Sequence, residues 1–184
     1  PSPIIVNTAF RTEATVPPGE ALTRTIERYR EIGHAFSLIT RGHADDDLER
    51  AAADAGWRRA LTFPGMVVEA PLPEREPRPG AVLRRVDPRR DLESAIRILR
   101  DGFAEDGADE RELIDQIFRA PRQLRSPTVT SFIASQDGVD GAFALVIKVG
   151  EAAVVGWVAT VPELRRRGLG DLVTRVATNT GFAL

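Results

Sequence analysis

Between residues 152 and 180 the chain places a strand, a glycine turn and a helix in immediate succession. Ala152 to Val161 is apolar at nearly every position and is closed by Pro162. Arg165-Arg166-Arg167-Gly168-Leu169-Gly170 follows. Leu169, Leu172, Val173, Val176 and Thr180 then recur at helical spacing and form one apolar stripe. Glycine has no Cβ, so the turn can curl tightly and its backbone can approach a ligand closely. The helix behind the turn presents unpaired N–H groups and the positive end of its dipole. This order commits the segment to α/β structure and makes an anion cradle suited to a phosphate or pyrophosphate.

The spacing narrows the choice of cradle. A dinucleotide fingerprint requires a third glycine where this chain has Val173. A P-loop requires Lys-Ser/Thr after its last glycine; here Asp171-Leu172 follows, and the single lysine is Lys148. What remains is R-x-x-G-x-G preceded by Val158-Ala159-Thr160-Val161-Pro162. The plain alternative is a solvated basic turn that starts a helix.

Composition sets further bounds. The 184 residues suffice for one sizeable core or two small ones. A hydrophobic share of 42% beside 28% charged residues reads as an ordinary globular chain. A net charge of −2 argues against a nucleic-acid surface, so the arginines of the turn are a local feature. No apolar run approaches the roughly 20 residues of a membrane span, and no signal peptide is visible. Without cysteine there is no disulfide, no thiolate metal site and no thiol nucleophile. We expect a cytoplasmic protein with no membrane, nucleic-acid or metal partner, and leave a homodimer open. The chain begins at Pro1 and stops in Gly181-Phe182-Ala183-Leu184, so we expect it to be part of a longer protein.

Along the chain, Ala70 to Gly80 holds four prolines and a closing glycine. This predicts a semi-rigid linker at 71–80 between an N-terminal part, 1–70, and a C-terminal part, 81–184. In the C-terminal part, Ala81 to Val86 reads as a strand. Asp87-Pro88 opens a helix carrying Leu92, Ile96, Leu99 and Phe103. Asp109 opens a second, with Leu113, Ile114, Ile117 and Phe118, which Pro121 ends. Ser131 to Ser135, Gly141 to Val149 and Ala152 to Thr160 are strands, joined by Asp137-Gly138 and Gly150-Glu151. The last two are apolar at nearly every position and predict central strands buried on both faces. Gly156 marks either a bulge or room for Trp157. In the N-terminal part, Ile4 to Val6, Ala35 to Thr40, Arg59 to Thr62 and Met66 to Glu69 read as strands. A helix with Leu22, Ile26 and Tyr29 ends at Gly33, and another is capped by Asp46 or Asp47.

The turn and its setting resemble the acetyl-CoA motif of the GNAT superfamily of N-acetyltransferases, over roughly Ala81 to Leu184. The element order of the C-terminal part is that of the first portion of a GNAT domain. The N-terminal order resembles the second portion, so Pro1 to Ala70 is either a degenerate GNAT-like half or an unrelated small α/β domain. The resemblance implies a GNAT-like α/β (α+β) fold, a mixed, mostly antiparallel sheet flanked by helices. It implies acetyl-CoA as co-substrate and a small-molecule or peptide amine as acceptor. The implied cofactor residues are Arg165, Arg166, Arg167, Gly168, Leu169 and Gly170 around the pyrophosphate. Ala159, Thr160 and Val161 are implied along the pantetheine arm and thioester.

No catalytic acid or base is assigned. The family's usual tyrosine lies on a helix beyond the next strand, after Leu184. Tyr29 sits on an apolar stripe and reads as packing. His34 and His43 read as structural or solvated, Glu151 and Glu163 as surface carboxylates. Trp157 reads as core before acceptor pocket. Two other classes stand beside the enzyme: a silent acetyl-CoA-binding module, and a structural α/β domain in which the turn is only a turn.

Overall fold

The computed structural model describes residues 7–104, 114–115, 117–118 and 124–184. Contacts divide the chain into two compact units, Pro1–Met66 and Val67–Leu184.

The first unit contains β1 (Thr8–Phe10), α1 (Pro18–Ile32), β2 (Ser37–Ile39) and α2 (Asp46–Asp54). β1 and β2 pair in parallel, which requires a crossover, and α1 supplies it. Proline in the first turn of α1 costs no hydrogen bond. Gly33 ends the helix at φ 68°, and its N–H returns to Arg30 O. Leu22, Leu48 and Ala52 are the buried core, with Leu38 and Trp57 packed against it. Tyr29 stacks on Phe36 at 4.5 Å and donates its hydroxyl to Thr8 O at 3.0 Å, a packing role that ties α1 to β1.

This small apolar core is supplemented by buried charge. Arg11, 5% exposed, pairs with Asp45, 1% exposed, at 3.1 Å and with Asp47 at 2.6 Å. Arg41 holds the other oxygen of Asp45 at 2.7 Å. Asp45 stands at the N-cap of α2 but spends its carboxylate on these guanidiniums rather than on helix N–H groups. The strands expected at Arg59 to Thr62 and Met66 to Glu69 are absent; residues 57–68 carry no regular element, and Leu61, Phe63, Met66, Val67 and Val68 are exposed. A strand forms only where a neighbour takes its hydrogen bonds, and the two-stranded sheet extends no further among the described residues. The expected strand Ile4 to Val6 lies outside the described residues.

The second unit contains β3 (Ala81–Arg85), α3 (Leu92–Gly102), β4 (Val129–Gln136), β5 (Val139–Val149), β6 (Ala152–Thr160) and α4 (Leu169–Ala183). The four strands form one antiparallel sheet in the order β3-β4-β5-β6. Asp137 and Gly138, at φ 51° and 82°, make the two-residue hairpin turn between β4 and β5. α3 starts at Leu92 rather than at Asp87-Pro88, because Asp87 to Asp91 first closes a hydrogen-bonded turn. Of the helix expected from Asp109, the residues Asp109, Leu113 and Pro121 lie outside the described residues. Ile114 and Phe118 are buried in the core, and Ile117 packs against it.

The two described helices lie on opposite faces. A Cβ on Gly181 of α4 would touch Ala153 and Val146; one on Gly102 of α3 would touch Ala159. Ala159 is registered with Phe143, and residues 143 and 146 point to opposite faces of β5. The expectation that β6 is buried on both faces fails. Ala152 to Val154 are exposed, because β5 is the one strand beside β6 among the described residues. β5 lies between two strands and is buried over its middle.

The proline-rich stretch is fastened within this unit. Leu72 exchanges two hydrogen bonds with the Asn179 amide, at 2.8 and 3.0 Å. Arg175 donates to Pro73 O at 2.9 Å, and Arg75 faces Asp171 at 3.7 Å. Residues 179 to 171 cover about 12 Å of helix, which three extended residues nearly match at about 10 Å. Pro71, Pro73 and Pro77 favour an extended strap, and Pro79 and Gly80 turn the chain into β3, with Ala81 N–H donating to Arg78 O at 2.9 Å.

Candidate functional site

The glycine turn joins the end of β6 to the start of α4. Pro162–Leu164 forms one 3₁₀ turn, and Arg165 is extended. Arg166 and Gly168 then take the left-handed conformation, at φ 61° and 85°. Gly168 is the N-cap of α4 and offers no side chain to its N–H groups. The Arg165 N–H donates to Pro162 O at 3.3 Å, and the next N–H to find a backbone acceptor is that of Leu172, which donates to Gly168 O at 3.0 Å. The N–H groups of Arg166 through Asp171 have no acceptor among the described residues. Backbone donors left without acceptors at a helix start are the feature that anion sites use.

The side chains divide by role. Arg166 and Arg167 are exposed and carry no ion pair among the described residues. Arg165 turns back: its guanidinium donates to Thr160 O at 3.3 Å and to Gly102 O at 3.1 Å. It thereby ties α3, β6 and the turn together. Leu169 is 1% exposed and anchors α4 in the core. Asp171 faces away from the donors and pairs with Arg175 at 2.9 Å. The hydrogen bond from Arg175 holds the Asp171 carboxyl below its ordinary range.

Gly170 is small for a reason the sequence did not reveal. A Cβ there would lie 3.0 Å from Thr160 Oγ1, so the packing of α4 on the strand also constrains this position. At Gly168 the positive φ itself demands glycine.

Of the three strand-end residues, Ala159 is buried in register with Phe143. Val161 already donates its N–H to Gly141 O at 2.9 Å. Antiparallel alternation therefore turns the backbone groups of Thr160 to the outer edge of β6. Beside them, Gly102 closes to 3.2 Å of Thr160 N as measured from its notional Cβ. Gly102 thus shapes the site, and its helical position carried no sign of that. A bulge precedes this edge. Trp157 and Val158 together face Ala144, between the registered pairs Leu145–Gly156 and Phe143–Ala159. Trp157, at φ 53°, packs edge-on against Phe103 and Phe118 at 6.3 and 5.4 Å.

His34, His43, Glu151 and Glu163 are exposed. His34 and Tyr29 line a shallow hollow of about 490 Å³ in the first unit. A second hollow, about 270 Å³, lies at Arg85, Leu124 and Ser131. No cluster of His, Cys, Asp or Glu suited to a metal occurs among the described residues, and no described helix is long and apolar enough to cross a membrane.

No family model and no curated protein matches the sequence. Solved structures do match in three dimensions. A GCN5-related N-acetyltransferase from Kribbella flavida superposes over 95% of this chain and 66% of its own, with a TM-score of 0.65 and 22% identity. The chain has the GNAT fold. The PaiA N-acetyltransferase from Thermoplasma acidophilum, solved in complex with coenzyme A, matches 56% of this chain and 72% of its own at 15% identity, TM-score 0.48. The chain thus spans just under two thirds of the Kribbella protein, and 38% of a matching chain from Pyrococcus horikoshii. Within the GNAT fold, the sheet, the turn and α4 described above form a contiguous strand–turn–helix unit.

Proposed function

We propose that this chain is part of an acetyl-CoA-dependent N-acetyltransferase acting on a small-molecule or peptide amine. The observation that carries the reading is the run of unpaired N–H groups from Arg166 through Asp171, flanked by two unpaired arginines, in a GNAT fold. Such donors at a helix start are the groups a pyrophosphate would engage. Arg166 and Arg167 add charge, and Arg165 and Leu169 hold the turn in place. The outward N–H of Thr160 sits at the strand edge where a pantetheine amide or thioester carbonyl can add as a further strand would. Acetyl-CoA supplies the activated acyl group. The chain's own share is positioning, which contributes up to about 7–11 kcal/mol in well-oriented systems.

The same run of donors serves one second reading equally, a silent acetyl-CoA-binding module. Calorimetric titration with acetyl-CoA tests the shared part. Binding by the parent chain, lost in Gly168→Val, is expected; a parent that does not bind removes both readings. Turnover with a panel of amines then separates the enzyme from the silent module.

A further inference from the structure

The strap formed by residues 72–79 does more than cover α4. After its fastenings at Asn179, Arg175 and Asp171 it reaches the glycine turn, and there it delivers Arg78. The Arg78 side chain lies across Gly168, with Nε 3.4 Å and Cζ 3.9 Å from the place a Cβ would take. Its Nη1 is 3.5 Å from Arg166 O, a long contact. No carboxylate pairs with Arg78 among the described residues. The neighbouring cations of the strap and helix, Arg75 and Arg175, are both spent on Asp171. Three guanidiniums without a carboxylate partner among the described residues, Arg78, Arg166 and Arg167, therefore lie against or belong to the turn whose donors lack acceptors. Repulsion among like charges is tolerated there only weakly, and an anion between them relieves it.

We propose that Arg78 is a further phosphate-binding residue of the acetyl-CoA site, presented by the strap rather than by the turn. The inference rests on the acetyl-CoA reading above and extends it to a residue 88 positions earlier than Arg166, the turn residue it meets. The shared chemistry is a phosphate oxygen of coenzyme A, belonging either to the pyrophosphate or to the 3′-phosphate. The three fastenings along α4 keep the long side chain near the turn before the ligand arrives, which lowers the ordering cost of the contact.

The test titrates coenzyme A and dephospho-coenzyme A into the whole chain by calorimetry, for the parent, Arg78→Ala, Arg78→Lys and Gly168→Val. Arg78→Ala is expected to weaken coenzyme A about tenfold, the usual worth of one charge-assisted contact to phosphate. It is also expected to flatten the salt dependence of binding, with its melting temperature unchanged. Arg78→Lys should recover part of the loss. An equal loss toward both ligands places Arg78 on the pyrophosphate; a loss confined to coenzyme A places it on the 3′-phosphate. If the parent binds, Gly168→Val does not, and Arg78→Ala matches the parent in affinity and salt dependence, the proposal for Arg78 falls while the acetyl-CoA reading stands. If the parent binds neither ligand, both fall together.

Discussion

Arg166 carries a conformational cost at the site. At φ 61° its Cβ crowds its own carbonyl, which costs a residue other than glycine about 1–2 kcal/mol. Glycine there would give back about 0.5–1 kcal/mol in chain entropy. Arg166→Gly is therefore expected to raise stability by up to about 1 kcal/mol in urea unfolding, while weakening acetyl-CoA through the lost charge. A lower unfolding midpoint for Arg166→Gly would remove the strain argument. In the first unit, Asp45 is the residue to watch. Hydrogen bonds from Arg41, then from Arg11, hold its carboxyl well below the usual carboxylate range despite burial. A depressed carboxylate stabilises fully above its unfolded pKa of about 3.9, and the contribution is lost as pH falls through the folded value. The thermal transition of this unit should thus weaken steadily from about pH 5 down to about pH 3. Asp45→Asn should melt lower at pH 7, because Arg41 loses its charge partner and Arg11 keeps only Asp47, and should show a flatter pH profile over that window. Circular dichroism melts across pH check both; an unchanged slope in Asp45→Asn would place the acid sensitivity elsewhere.

At the scale of elements, the site is made by close approach. α3 comes onto β6 at Gly102, whose notional Cβ is 2.8 Å from Ala159 Cβ. Alanine at a helical glycine ordinarily gains about 1 kcal/mol. Here overpacking costs about 1–3 kcal/mol, so Gly102→Ala should destabilise on balance. It should also push α3 from the Thr160 edge and weaken acetyl-CoA more than a remote change of equal stability. Paired unfolding and titration curves decide this; a stabilised Gly102→Ala contradicts the contact. Much of this level was legible in the sequence. The strands β3 to β6, the turn at Asp137-Gly138 and the helix start at Gly168 all emerge within a residue or two of where periodicity and turn chemistry place them. The failures have one cause. Arg59 to Thr62 and Met66 to Glu69 have strand-like composition, and β6 has the apolar run of a central strand. Whether a neighbouring strand stands beside them is not a property of the segment.

At the scale of the whole molecule, the two compact units differ in how they are held together. The second rests on one large apolar core around Ile133, Phe143 and Val146. The first has, among the described residues, a core of three buried apolar side chains and leans on the Arg11–Asp45 cluster. The strap belongs to the second unit by its hydrogen bonds, while residues 57–68 lie exposed without regular structure. Limited trypsin digestion is therefore expected to cut first at Arg58 and Arg59 and later at Arg75. Saturating acetyl-CoA should slow cleavage at Arg75 further. First cleavage at Arg75 would show that the strap is not fastened.

What the amino-acid order determined by itself is local. The turn needs a left-handed residue and has Gly168; α1 needs a left-handed end and has Gly33; the apolar stripe of α4 follows from its spacing. Each of these depends on dihedral preferences and on neighbours within a few positions. The tertiary structure decided everything that depends on distant partners. It turned Arg165 inward onto Gly102 and Thr160, and it made Gly170 a packing residue against Thr160. It left β6 at an edge, and it laid a proline-rich strap along α4 so that Arg78 meets the turn. Side-chain reach and steric contact are set by three-dimensional proximity, and no pattern within a single segment encodes which distant segment will arrive there.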